Sequence, residues 1–177
     1  MEEDSSLFIL GEDSHNNACL NFLDDMSYGY IQGYLRTGEI LADYINEKVV
    51  EQDMLIYPLL FSYRHHIELR LKKIIQSGNL LLEDGTDYPD SHRLNNLWQE
   101  SRTIITKICT NENLEEIMKI MGKIERYINE LDNIDQRSDA FRYWEGTKRM
   151  ERPKNIPNVY NTTSGIFVSV WTLLLRF

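Results

Sequence analysis

Four successive segments of this chain repeat apolar residues at alternating spacings of three and four, and no other feature constrains the fold as strongly. Residues three and four apart share one face of an α-helix, so each segment is predicted to be a helix with one buried stripe. The first runs roughly from Ser27 to Lys48. Its stripe is Ile31, Tyr34, Leu35, Leu41, Ala42 and Ile45, with Gly38 on the same face. Gly29 and Gly33 lie four apart and would admit another helix closely, at about 1 kcal/mol each against alanine. The second starts after Gln52-Asp53, with Asp53 as its cap and Pro58 tolerable only in an early turn or at a kink. Its stripe is Ile56, Leu60, Tyr63, Ile67, Leu71 and Ile74, and Ser77-Gly78 supplies a natural stop.

Residues 79–91 read as a turn-rich loop. Asp90 or Ser91 then caps a third helix reaching about Cys109, with Leu94, Leu97, Trp98, Ile104, Ile105 and Ile108 on its stripe. Asn111 or Asn113 opens a fourth helix to about Ile134, striped by Leu114, Ile117, Met118, Met121, Ile124, Ile128 and Leu131. That run lasts under three heptads, so it describes one face of a bundle rather than a separate coiled coil. The expected fold is all-α, an antiparallel bundle of four to five helices. The organisation divides into an irregular lead-in over residues 1–26, the bundle over 27–145, and a loop with a C-terminal apolar segment over 146–177. That last segment, GIFVSVWTLLLRF, suits either a strand or a helix that closes the bundle.

Composition narrows the function classes. The two cysteines, Cys19 and Cys109, form no CxxC and no Cys/His ligand spacing, so neither a disulfide framework nor a metal site is expected, and no cofactor motif is present. The acidic start MEEDSSLFIL lacks the basic residues and long apolar run of a secretory leader. Ile166 to Leu175 is about half the length that spans a bilayer. A cytoplasmic protein without a membrane span is therefore expected. The net charge of −9 disfavours RNA or nucleotide partners, whose phosphates are bound largely by Lys and Arg. The same charge suits an antitoxin-like surface that masks a basic partner.

The segment YRHHIELRLKK on the second helix is the most informative. On a wheel of about 100° per residue, Arg64 falls about 40° from Leu60, inside the apolar stripe. Glu68 and Lys72 continue the same row at i+4 and i+8. An arginine there must be paired or must reach water along its stem. Glu68 is the nearest acid by sequence, and Asp132, Asp135 and Asp139 are the distant ones. A buried ion pair that fixes helix register is the ordinary role, and a pocket lined by Arg64 and Glu68 is the functional one. His65 and His66 diverge by about 100°, cannot chelate one metal, and point away from the stripe as surface or boundary residues. His65 can reach Glu68 at i+3. His92 is expected in the first turn of the third helix. Phe141, Tyr143 and Trp144 around Arg142 suggest aromatics anchoring a loop against the bundle. The candidate polar cluster is thus Arg64, His65, Glu68, Lys72, His92, Arg142 and Tyr143.

The order of these strings, YRHHIELRLKK, then His92-Arg93-Leu94 with Leu97-Trp98, then Phe141-Arg142-Tyr143, resembles HEPN-like domains over roughly residues 27–145. In that family the second helix carries a YRHxxELxLK-like string, the next helix opens with HxLxxLW, and an RYP-like segment follows the fourth. The resemblance implies a helical bundle, a frequently dimeric protein, and a setting in bacterial phage defence or toxin–antitoxin systems. Active members are metal-independent endoribonucleases with an Arg-x4-6-His motif. No histidine here follows an arginine at that spacing, and Trp144 stands where the family's proline would be. The expectation is a non-catalytic binding or dimerisation module, with a homodimer or a protein partner. The alternative is an atypical metal-independent endoribonuclease or nucleotide-binding enzyme using Arg64, His65, Glu68 and Arg142.

Overall fold

The computed structural model describes residue 15 and residues 17–20, 23–48, 51–85, 87–109 and 114–143. Four helices occupy them: α1 (Ser27–Glu47), α2 (Gln52–Leu81), α3 (Leu94–Ile108) and α4 (Leu114–Ile134). No strand occurs among the described residues. The all-helical expectation holds, and no described helix is long and apolar enough to cross a membrane. The apolar segment of residues 164–177 and Trp144 lie outside the described residues.

The helices pack in chain order, α1 on α2, α2 on α3 and α3 on α4. Their stripes build two cores. The larger joins Ile67, Leu71 and Ile75 of α2 to Leu97, Trp98 and Ile105 of α3 and to Met121, Ile124 and Ile128 of α4. The smaller joins Leu35, Ala42 and Ile45 of α1 to Leu59 and Tyr63 of α2. Burying each such large apolar side chain stabilises the fold by about 1.5–3 kcal/mol. The 30 residues of α2 span about 45 Å, so its first half serves α1 and its second half serves α3 and α4.

This division of α2 corrects several expectations. Gly78 does not stop α2. A Cβ there would overlap Ile104 of α3, so Gly78 marks a close approach of the two helices, and α2 continues to Leu81. The exit comes later, where Leu82 N–H donates to the Gly78 carbonyl at 2.9 Å and Glu83 adopts φ 58. Gly38 of α1 plays the same part toward α2, since its Cβ would overlap the Tyr63 ring. Gly29 and Gly33 are exposed instead, and a Cβ on Gly33 meets nothing within 4 Å.

The caps also differ. The residue before α2 is Glu51, which makes no side-chain cap, and Asp53 sits in the first turn. Arg93, not Asp90 or Ser91, precedes α3, so His92 lies just outside that helix. Its first turn is held from outside by Asp132 of α4, whose carboxylate faces Asn95 N–H at 3.5 Å and takes Asn95 Nδ2 at 3.1 Å. Met118 is exposed because it projects about 60° from Met121, on the side away from Ile124 and Leu131. Ile108, the last residue of α3, is exposed as well.

Candidate functional site

Arg64 is where the sequence placed it, inside the bundle, with 0% exposure. Its guanidinium is spoken for on three sides. Nη1 donates to Glu68 Oε2 at 2.9 Å, Nε to the Asp135 carbonyl at 3.1 Å, and Nη2 to the His92 carbonyl at 2.5 Å. Asp135 Oδ2 adds charge 3.3 Å from Nε without an aligned hydrogen bond. The partner acids are as buried as the arginine, Glu68 at 1% and Asp135 at 0%. One cation therefore ties α2 to the end of α4 and to the segment entering α3. The expected pairing with Glu68 or a later acid is met by both.

Asp135 is held in turn by the chain that leaves α4. Its Oδ1 accepts the N–H groups of Asp139 at 2.8 Å and Ala140 at 3.1 Å. Ser138, buried within this turn, adopts φ 62. The turn is therefore folded around the carboxylate that faces Arg64.

Glu68 is the hub on the other side. Its Oε1 accepts Lys72 Nζ at 3.1 Å and His92 Nδ1 at 2.8 Å. Burial pushes the Glu68 carboxyl up, but the hydrogen bonds from His92, Lys72 and Arg64 outweigh it and hold the group below the usual carboxylate range. An ionised carboxylate only accepts, so His92 presents Nδ1–H to it. The His92 side chain is 61% exposed.

The remaining candidates do not join this network. His65 does not reach Glu68 by a hydrogen bond. It lies edge-on to Tyr34 at 4.4 Å between centroids and stacks on Phe61 at 5.6 Å. Burial lowers its pKa, and the charges of Arg64, Lys72 and Arg142 act in the same direction against Glu68. Arg142 stands over the rings of Phe61 and Tyr143 at 5.8 and 5.3 Å, and its Nε donates to the Ser138 carbonyl. Tyr143 is exposed and Phe141 half-buried, so the contact of this segment with the bundle runs through Arg142 as well as the aromatics. The seven sequence candidates thus fall into two groups. Arg64, Glu68, Lys72 and His92 form an ionic network, and His65, Arg142 and Tyr143 form an aromatic and cationic patch with Tyr34 and Phe61.

His66 corrects a further expectation. It is buried rather than a surface or boundary residue, because α1 covers that side of α2. Its Nδ1 lies 2.8 Å from the Ile31 carbonyl, which can only accept, so this nitrogen carries the proton. Burial lowers the His66 pKa. Among the described residues no group of three or more His, Cys, Asp or Glu is arranged to hold a metal ion.

No family model, curated protein or solved structure matches this chain. What the site can do therefore rests on its own chemistry. A buried guanidinium with three acceptors can fix helix register, while an exposed imidazole on a buried carboxylate can exchange protons. The residues that sequence reasoning passed over are Ser138 and Arg70. Arg70 falls about 80° from Leu60, the mirror of Glu68, and carried no signal beyond that position.

Proposed function

We propose that this chain is a non-catalytic HEPN-like helical bundle that works by docking, as a homodimer, in a bacterial phage-defence or toxin–antitoxin setting. The observation that carries the non-catalytic part is the Arg64 network. A guanidinium with 0% exposure that gives hydrogen bonds to Glu68, Asp135 and the His92 backbone has no face left for a phosphate. The family setting rests on the strings from YRHHIELRLKK to Phe141-Arg142-Tyr143 and on the all-helical fold.

Docking is supported by the outer side of α1. Tyr30 and Ile40 are each 53% exposed there, and Gly33 stands in open space. A cleft of about 390 Å³ lies along this side, with Leu20, Met26, Tyr30 and Tyr34 around Gly29 and Gly33. An apolar second face on a helix already packed on its first suits a partner helix. Light scattering on the eluting protein tests this. The reading expects twice the 21.0 kDa chain mass, reduced to the single-chain mass by a Gly33→Arg/Ile40→Arg pair. A wild-type protein that elutes at the single-chain mass at all micromolar concentrations contradicts it.

One observation favours a second reading, an atypical metal-independent ribonuclease. His92 is exposed and oriented by a buried carboxylate, as a proton-transfer group needs to be. In that reading His92, held by Glu68, supplies the proton transfer.

A further inference from the structure

A second guanidinium, half-buried, lies on α2, and its surroundings are unlike those of Arg64. The Nε of Arg70 is inaccessible to solvent and has no hydrogen-bond partner among the described residues. No described carboxylate pairs with it. Desolvation lowers its pKa, and Tyr28 is the group that acts in the opposite direction. Nearly all buried N–H groups in folded proteins find an acceptor, so this Nε calls for one from outside the described residues.

Arg70 lines a cleft of about 160 Å³ between α2 and α3. Its walls are apolar, with Ile74 and Leu81 from α2 and Ile104, Ile105 and Ile108 from α3. A dry apolar cavity of about 150 Å³ accommodates a benzene-sized group. The second cation on the rim, Lys73, is already engaged by Asp25 at 2.8 Å and by Gln76 at 3.2 Å. The cleft therefore offers one unspent positive charge beside room for one small apolar body.

We infer that this cleft binds a small amphipathic carboxylate, with its apolar body against Ile74, Leu81, Ile104 and Ile108 and its carboxylate on the Arg70 guanidinium. The planar guanidinium matches a carboxylate by two parallel hydrogen bonds. A single free cation matches a single negative charge, whereas a phosphate dianion needs more donors than this rim provides. Both halves of the ligand are required. The charge alone would remain in water, and the apolar body alone would leave Nε unsatisfied. This site is separate from the α1 face and from the Arg64 network, and it stands whether or not the chain dimerises.

Calorimetric titration of the full chain tests the assignment, with hexanoate and benzoate as probes and acetate and hexanol as controls. Saturable binding of hexanoate or benzoate is expected, and the better of the two tells a flexible chain from a ring. Acetate, which lacks the body, and hexanol, which lacks the charge, should each bind at least tenfold more weakly. Arg70→Gln should weaken the preferred acid at least tenfold, with Arg70→Lys in between. Ser77→Phe, at an exposed helix position beside the cleft, should block it with an unchanged circular dichroism spectrum. The preferred acid should also raise the melting temperature of the wild type and leave that of Arg70→Gln unmoved. Equal binding of that acid by wild type and Arg70→Gln, equal binding of acetate and hexanoate, or no saturable binding of either acid would overturn the proposal.

Discussion

Arg64 and Arg70 stand six residues apart on one helix, and the two ends of that interval are built differently. At Arg64 two buried acids and two carbonyls close around the guanidinium, and α2, α4 and the entry to α3 are joined through it. At Arg70 the walls are isoleucine and leucine, and Nε has no acceptor among the described residues. The same side chain on the same helix is thus a structural tie in one place and an open valence in the other. Arg64 is enclosed and Arg70 half-buried, but the partners are what separate a structural charge from a binding one.

The largest effect should come from breaking the tie. Arg64→Met should cost about 3–5 kcal/mol in urea unfolding, because Glu68 and Asp135 are left buried without their cation. An Arg64→Met/Glu68→Leu double variant should lose less than Arg64→Met alone, since it removes a stranded charge with its partner. A single-variant loss under about 0.5 kcal/mol, the range of ordinary surface changes, would mean that the network holds nothing together.

A smaller effect is expected where α2 meets its neighbours. Gly78→Ala pushes a methyl group into Ile104, and overpacking of this kind costs about 1–3 kcal/mol. Gly122→Ala, in open space on α4, should instead be neutral or stabilise by up to about 1 kcal/mol. Thermal melts of the two variants that moved in the same direction would undo the assignment of which glycine is a contact and which is a surface.

Stability should also fall in two steps as pH is lowered. His65 and His66 have folded pKa values held below the ordinary value of about 6.5, so the unfolded chain binds their protons first and stability declines as pH drops below that point. Glu68, also depressed, contributes stability above its unfolded pKa that is lost as pH falls through the lower folded value. His66→Asn, which keeps an N–H for the Ile31 carbonyl, should flatten the upper step and leave the lower one. An unchanged upper step would show that the buried ring is not its source.

The smallest effect belongs to the other arginine. Without ligand, Arg70→Gln should change unfolding free energy by no more than about 0.5 kcal/mol, because no partner is abandoned. A loss as large as that of Arg64→Met would erase the contrast between the two sites.

The helices were legible because their stripes recur at three and four, and Arg64 was legible because a charge interrupted such a stripe. The second buried face of α2 was not, since Ser62 and His66 look polar in sequence and are buried, His66 against Ile31 of α1. Glycines carried an ambiguous signal: Gly33, read as a close approach, stands in open space, and Gly78, read as a stop, is a close approach to Ile104. The choice among Asp132, Asp135 and Asp139 depends on the turn through Ser138, which periodicity does not encode. His92 was placed inside α3, yet it sits before it, and that position is what brings its ring and its carbonyl to Glu68 and Arg64.

The most direct test of a spent, non-catalytic network is an RNA incubation. Purified protein is mixed with mixed-sequence RNA in chelator, beside a His65→Ala/His92→Ala variant. Arg142 can stabilise charge but cannot shuttle a proton, because a guanidinium stays protonated, so any cleavage would have to run through one of these histidines. The account predicts intact RNA with both proteins. Cleavage by the wild type that disappears in the variant would contradict it and make the His92–Glu68 pair a catalytic one.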